Sequence, residues 1–232
     1  MPNKKSIGKM IIFLVPLAIL YYFLKLRYYE YGSYEKLWLE DGIWEYIQFG
    51  FIIIASLIWF LISIKFLKTR NFLFGFLFLL IWLIFLFIGW EEISWWQRIF
   101  NITTPDSLIE INKQTEINIH NIGSINENIY IVYRMILIYT SIGWLILLGV
   151  KSNSKIKLWD KIRFYLDMII TPWYLIFYFV ALYINFWTFG NYAPQDYEWA
   201  ELLLYMWILI FMVRNYYILQ LFIWEKESKI TI

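Results

Sequence analysis

The sequence predicts an all-α integral membrane fold, a six-helix transmembrane bundle with a structured outer loop between helices three and four. Composition is the first observation: hydrophobic residues make up 61% of the 232 residues, whereas soluble domains average about 45–50%. The second is that these residues are gathered in runs of about 20, which is the length of a helix that crosses a bilayer. Lipid offers the backbone no hydrogen-bond partner, so runs of this kind must be helical.

Six apolar runs define the predicted spans within a single domain over residues 1–232. The first run follows Lys4 and Lys5 and has no small residues at a cleavage site, so we expect an uncleaved span. Pro172 is expected to kink the fifth span. The predicted outer-face loops are residues 27–43, 91–128 and 190–198. The predicted spans are residues 7–26, 43–64, 72–90, 129–150, 164–189 and 197–213.

Charge is distributed unequally between the two sides of the predicted bundle. Most of the 20 Lys and Arg residues fall on the side of the termini, which predicts cytoplasmic termini and a bacterial inner-membrane location. Most of the 18 Asp and Glu residues fall on the outer side, together with many Trp and Tyr residues. Few basic residues on that face argue against nucleic-acid binding. Cysteine is absent, which excludes disulfides and thiolate ligands.

The stretch from Gly89 to Arg98 carries the most informative polar motif. On a helix that continues beyond the membrane, Glu91, Ser94 and Arg98 share one face. The adjacent Glu91 and Glu92 repel each other, so they need a compensating cation, proton or arginine. A salt-bridge network with Arg98 and a metal site are both open interpretations.

A second polar motif runs from Glu110 to Asn121. Read as a strand or as a helix, it places Glu116 and His120 on one face. His120 is the only histidine, and histidine suits proton transfer and metal binding. Glu91, Glu92, Glu116 and His120 together would suit a divalent cation. The alternative is a histidine that only completes a hydrogen-bond network.

Acidic residues also stand at the predicted outer starts of helices two and six. Glu45 follows Glu40 and Asp41, and Glu198 precedes Glu201 by three residues. Carboxylates near a helix N-terminus complement the positive end of the helix dipole, which is sufficient to explain these positions.

Taken as a set, these motifs resemble an uncharacterised family of bacterial multi-pass membrane proteins. The resemblance implies a shared architecture and no particular reaction. Trp90 and Trp96 stand where the family pattern has glycine. Membrane-embedded CAAX-type endopeptidases have a shorter gap between their glutamates and arginine and need further histidines, so the chain departs from them. The matching residues are Glu40, Asp41, Gly42, Glu45, Glu91 to Trp95, Gln97, Arg98, Thr104, Pro105, Asn112, Gln114, Glu116, Asn118, His120 and Asn121.

Two functions remain open at this stage. The favoured one is a non-catalytic subunit whose acidic, aromatic outer face binds lipid or another membrane or envelope protein. The alternative is an enzyme acting on a lipid-linked or envelope substrate, with a divalent cation as an open question. Its catalytic residues would be His120, Glu92 and Glu116, and its metal ligands Glu91, Glu92, Glu116 and His120. The residues assigned to substrate or partner binding are Arg98, Gln97, Asn112, Gln114, Asn121 and Glu45.

Overall fold

The computed structural model of the protein describes residues 4–37, 43–94, 97–112, 117–119, 122, 135, 138, 142–143, 158–181 and 194–228. The described residues form helices and connecting turns, and no strand occurs among them. Residues 173–175 form a 3₁₀ helix, and residues 176–181 continue it as an α-helix. The α-helices are α1 (Lys4–Tyr29), α2 (Tyr31–Leu37), α3 (Ile43–Lys68), α4 (Phe72–Glu92), α5 (Gln97–Phe100), α6 (Asp106–Ile109), α7 (Leu158–Ile169) and α8 (Pro194–Ser228).

The chain is a multi-pass membrane protein by the length and apolar character of its helices. Within the described ranges, five helical segments are long and apolar enough to cross a bilayer. The predicted fourth span, residues 129–150, lies almost entirely outside the described residues, so the six-helix bundle stays a prediction. The five segments are Ile7–Tyr29, Trp44–Lys68, Phe72–Glu92, Phe164–Ala181 and Glu198–Trp224.

The last helix is longer than predicted. The sequence places its end at residue 213, before Arg214, but α8 continues to Ser228. Arginine is a good helix former, so a charge alone does not end a helix. The Arg214 guanidinium donates a hydrogen bond to Asn215 Oδ1 at 2.9 Å and lies 5.9 Å from the centroid of the Phe211 ring. These contacts accommodate the charge within a continuous helix.

The residues group into two compact units. The first comprises Met1–Gly42 and Ile131–Trp207, and the second comprises Ile43–Tyr130 and Ile208–Ile232. In the first unit, α2 is fastened by Tyr34, whose side chain is fully buried. Burial raises the pKa of Tyr34 to about 12, although hydrogen bonds from the side chains of Trp199 and Arg27 and the Arg27 charge act in the opposite direction.

The predicted kink in the fifth span is confirmed as an interruption in the first unit. α7 ends at Ile169, and Pro172 has an extended backbone with ψ 152°. The 3₁₀ helix Trp173–Leu175 follows directly. Proline lacks the N–H that would continue the helix, and it disfavours helical backbone in the residue before it.

The second unit is built on the antiparallel hairpin of α3 and α4. Ser63 Oγ donates to the Gly75 carbonyl at 2.7 Å, and the Trp59 and Phe78 ring centroids lie 4.4 Å apart. A Cβ added at Gly75 would lie 2.5 Å from Leu67 Cδ2, so a side chain there would require the Leu67 side chain to move. Small residues of this kind allow membrane helices to pack closely.

Candidate functional site

α4 ends at Glu92, and the chain then turns away. Ile93 follows the helix, and Ser94 has φ 48°, in the left-handed region that non-glycine residues rarely adopt. The expectation of a continuing helix with Glu91, Ser94 and Arg98 on one face is therefore wrong. The turn sends the chain into a loop of residues 93–122, called the motif loop below, because it carries most of the polar motif residues.

Glu91 is the first side chain that holds the motif loop. It is 4% exposed, and its Oε2 accepts a hydrogen bond from the Ile119 backbone N–H at 2.6 Å. A charge-assisted bond of this length is among the stronger contacts available to a carboxylate. A backbone N–H thus supplies part of the compensation that the sequence assigned to a cation, a proton or an arginine.

Gln97 fastens the same segment from the first turn of α5. Its Oε1 accepts a hydrogen bond from the Ile117 N–H at 2.6 Å, and its Nε2 donates to Thr104 Oγ1 at 2.6 Å. One side chain therefore joins three parts of the motif loop. This places Gln97 in a positioning role, where the sequence assigned it to substrate or partner binding.

Two buried asparagines complete the network. Asn112 Nδ2 donates to the Asn118 carbonyl at 2.8 Å and to Asn118 Oδ1 at 2.9 Å. Asn118 Nδ2 donates to Ser94 Oγ at 3.3 Å, and Asn112, Asn118 and Ser94 are each 5% exposed or less. Asn112 also pairs with Ile122 in one isolated antiparallel bridge. The described part of the second motif is thus neither the strand nor the helix that the sequence left open.

The remaining predicted site residues are only partly placed. Glu92 is half-buried at the last position of α4, and Glu45 is half-buried in the first turn of α3. Arg98 lies in α5, and its side chain is outside the described part. Gln114, Glu116, His120 and Asn121 lie outside the described residues, so their convergence on Glu91 or Glu92 stays a prediction. Within the described ranges, no group of three or more Asp, Glu or His side chains is placed to hold a metal ion.

The structure adds functional residues that the sequence did not assign. Thr104 and Asn118 belong to the motifs and were available as candidates, but nothing in their spacing indicated that they hold the loop. The sequence places Ser94 only on a helix face and does not indicate its hydrogen bond with Asn118. The backbone N–H groups of Ile117 and Ile119 carry no sequence signal at all, because every residue except proline has one.

No protein family, curated protein or solved structure matches this chain. The resemblance to a bacterial membrane family therefore stays a prediction.

The exposed side chains of the motif loop include five large apolar ones. Phe100 is 69% exposed, and Ile102 and Ile111 are 47% and 52% exposed. Ile109 and Ile119 are exposed as well. These five side chains, called the apolar loop surface below, belong to the same loop whose backbone is held by the buried Glu91 and Asn112 side chains and the half-buried Gln97 side chain.

Proposed function

We propose that the protein is a non-catalytic membrane subunit whose outer face binds another membrane or envelope protein, or lipid, through the motif loop. The observation that carries this proposal is the inward direction of the motif side chains. Glu91 and Gln97 accept hydrogen bonds from the backbone N–H groups of Ile119 and Ile117. Their bonds therefore shape the loop.

A loop fixed in this way is suited to binding. Association costs free energy when a flexible segment must be ordered, and a segment that is already ordered avoids that cost. Buried bonds join Asn112 to Asn118, and Asn118 in turn donates to Ser94 near the start of the motif loop. The polar network thus supports a pre-organised surface.

The apolar loop surface supplies the contact area. Phe100, Ile102 and Ile111 are large apolar side chains of the motif loop, and each is exposed. In protein interfaces, a few such side chains carry most of the binding energy. We infer that this surface is covered in the cell.

The motif loop is proposed to lie on the outer side of the membrane. The charge asymmetry supports cytoplasmic termini in a bacterial inner membrane with the motif loop on the outer side, and the motifs support kinship with the bacterial family. The enzymatic alternative assigns Glu91 to a metal. The hydrogen bond to Ile119 favours the structural interpretation of that residue.

The test is chemical labelling in the native membrane. The chain has no cysteine, so Phe100→Cys and Ile102→Cys each introduce a single thiol. Ser107→Cys is the matched control, because Ser107 is an exposed polar residue in the same loop. Each labelling rate with a membrane-impermeant maleimide is divided by the rate of the unfolded chain.

We expect the Phe100 and Ile102 positions to label more slowly than the Ser107 position in native membranes. In vesicles of purified lipid without other proteins, persistent protection identifies lipid as the occupant, and lost protection identifies a protein. Equal normalised rates at all three positions in native membranes would overturn the proposal.

A further inference from the structure

α7 differs from the other long helices because it is strongly amphipathic. In its sequence, Asp160, Arg163 and Asp167 recur three and four positions apart, which is the spacing of one helix face. Phe164 and Met168 are buried by packing, whereas Ile169 is 41% exposed. One flank of the helix therefore contacts the protein, whereas the side chain of Ile169 is exposed. A helix buried in hydrocarbon would not carry such a charged face.

The contacts of α1 fix the level at which α7 ends. Lys9 Nζ lies 5.7 Å from the centroid of the Tyr174 ring, and Lys9 is near the start of the first span, Ile7–Tyr29. One turn further along α1, the Phe13 ring centroid lies 5.5 Å from that of Trp173 and 4.2 Å from that of Phe177. Trp173 and Tyr174 thus stand at the membrane boundary on the side of the N-terminus.

Because Trp173 stands at the membrane boundary, α7, which precedes it, has little of the hydrocarbon layer available on that side. A helix of 12 residues is about 18 Å long. If α7 continued away from the membrane, the exposed Ile169 would stand in water. If α7 folded back into the bilayer, Arg163 and Asp167 would enter hydrocarbon. An orientation along the membrane surface avoids both costs, and the extended residues before Trp173 permit the change of direction.

We propose that α7 lies along the membrane surface in the headgroup region of the leaflet on the N-terminal side, and that the fifth span begins at Trp173. The uncharged residues 173–189 are long enough to cross from there. Trp173 is 47% exposed, as suits an aromatic ring at the interface.

The position of α7 is tested by depth measurement on the full-length protein in lipid vesicles. Nitroxide labels are placed on single cysteines at Ile169, Trp173, Ile176 and Val180, and their collisions with oxygen and with a water-soluble nickel chelate are compared. We expect depth to increase in that order. A maximum at Trp173 that falls toward both Ile169 and Val180 would mean that residues 164–181 form the span, and would overturn the proposal.

Discussion

The carboxylate of Glu91 accepts a hydrogen bond from the backbone N–H of Ile119 at 2.6 Å, across 28 positions of the chain. The contact joins the end of a membrane helix to the far side of the motif loop. The hydrogen bond gives Glu91 a structural role in holding the motif loop.

Replacing Glu91 should destabilise the protein. We expect Glu91→Ala to lower the free energy of unfolding by about 2 kcal/mol, because it removes a hydrogen bond to a charged group. The measurement is unfolding in detergent. Glu110→Ala is the control, since Glu110 is an exposed acidic residue of the same loop, and should change the free energy by no more than about 0.5 kcal/mol. Equal effects of the two substitutions would contradict the structural role.

The α3–α4 hairpin should not tolerate a side chain at Gly75. A Cβ there would lie 2.5 Å from Leu67 Cδ2 and 3.2 Å from the Leu67 backbone nitrogen. We expect Gly75→Ala to lower the free energy of unfolding by about 1–3 kcal/mol. In α3, Gly50 has open space around it, so Gly50→Ala gains helix propensity without a clash and should be neutral or stabilising. A stabilising Gly75→Ala would show that the helices can separate without cost.

The buried Tyr34 side chain of α2 should stabilise the protein less at high pH. The pKa of Tyr34 is raised in the folded protein to about 12, from an ordinary value near 10. The stabilisation is therefore complete below about pH 10 and is lost as the pH rises toward 12. The measurement compares unfolding of the wild-type protein and Tyr34→Phe between pH 9 and 12. The wild-type protein should be the more stable at pH 9, and its advantage should shrink with rising pH. A constant difference would contradict the burial of an un-ionised hydroxyl.

The metal-enzyme alternative makes a separate prediction through His120. If His120 completes a hydrogen-bond network, His120→Ala should lower stability, and neither divalent cations nor a chelator should change the unfolding of the wild-type protein. The measurement is thermal unfolding in detergent with Mg²⁺, Mn²⁺, Zn²⁺ or EDTA. A bound cation at a hundredfold excess over its dissociation constant would add about 2.7 kcal/mol. Cation stabilisation that is lost in His120→Ala would establish a metal site and contradict the structural interpretation.

The apolar runs predict the helical segments because lipid leaves the backbone no other choice. The same runs do not reveal every helix end. The predicted last span ends before Arg214, but the contacts of Arg214 with Asn215 and Phe211 allow α8 to continue. The sequence identified Pro172 as a site of distortion. It did not indicate the contact between Lys9 and Tyr174, from which we infer the level at which α7 ends.

The sequence was sufficient to predict which residues belong to the candidate site, but it did not predict their hydrogen-bond partners. The motifs identified Glu91, Gln97 and Asn112 as unusual, since polar residues at a membrane boundary require partners. The partners of Glu91 and Gln97 include the backbone N–H groups of Ile119 and Ile117, which no side-chain pattern can indicate. The left-handed backbone of Ser94 was equally invisible, because serine is compatible with a continuing helix.

The measurement that tests the central claim most directly is amide hydrogen exchange of the peptide containing Ile117 and Ile119, in wild-type protein and in Glu91→Ala. If Glu91 holds the motif loop, its loss should speed exchange of this peptide by about tenfold, the factor that corresponds to 1.4 kcal/mol of opening free energy. The Glu110→Ala control should leave the exchange rate unchanged. Unchanged exchange in Glu91→Ala would show that the loop does not depend on this carboxylate and would contradict the account.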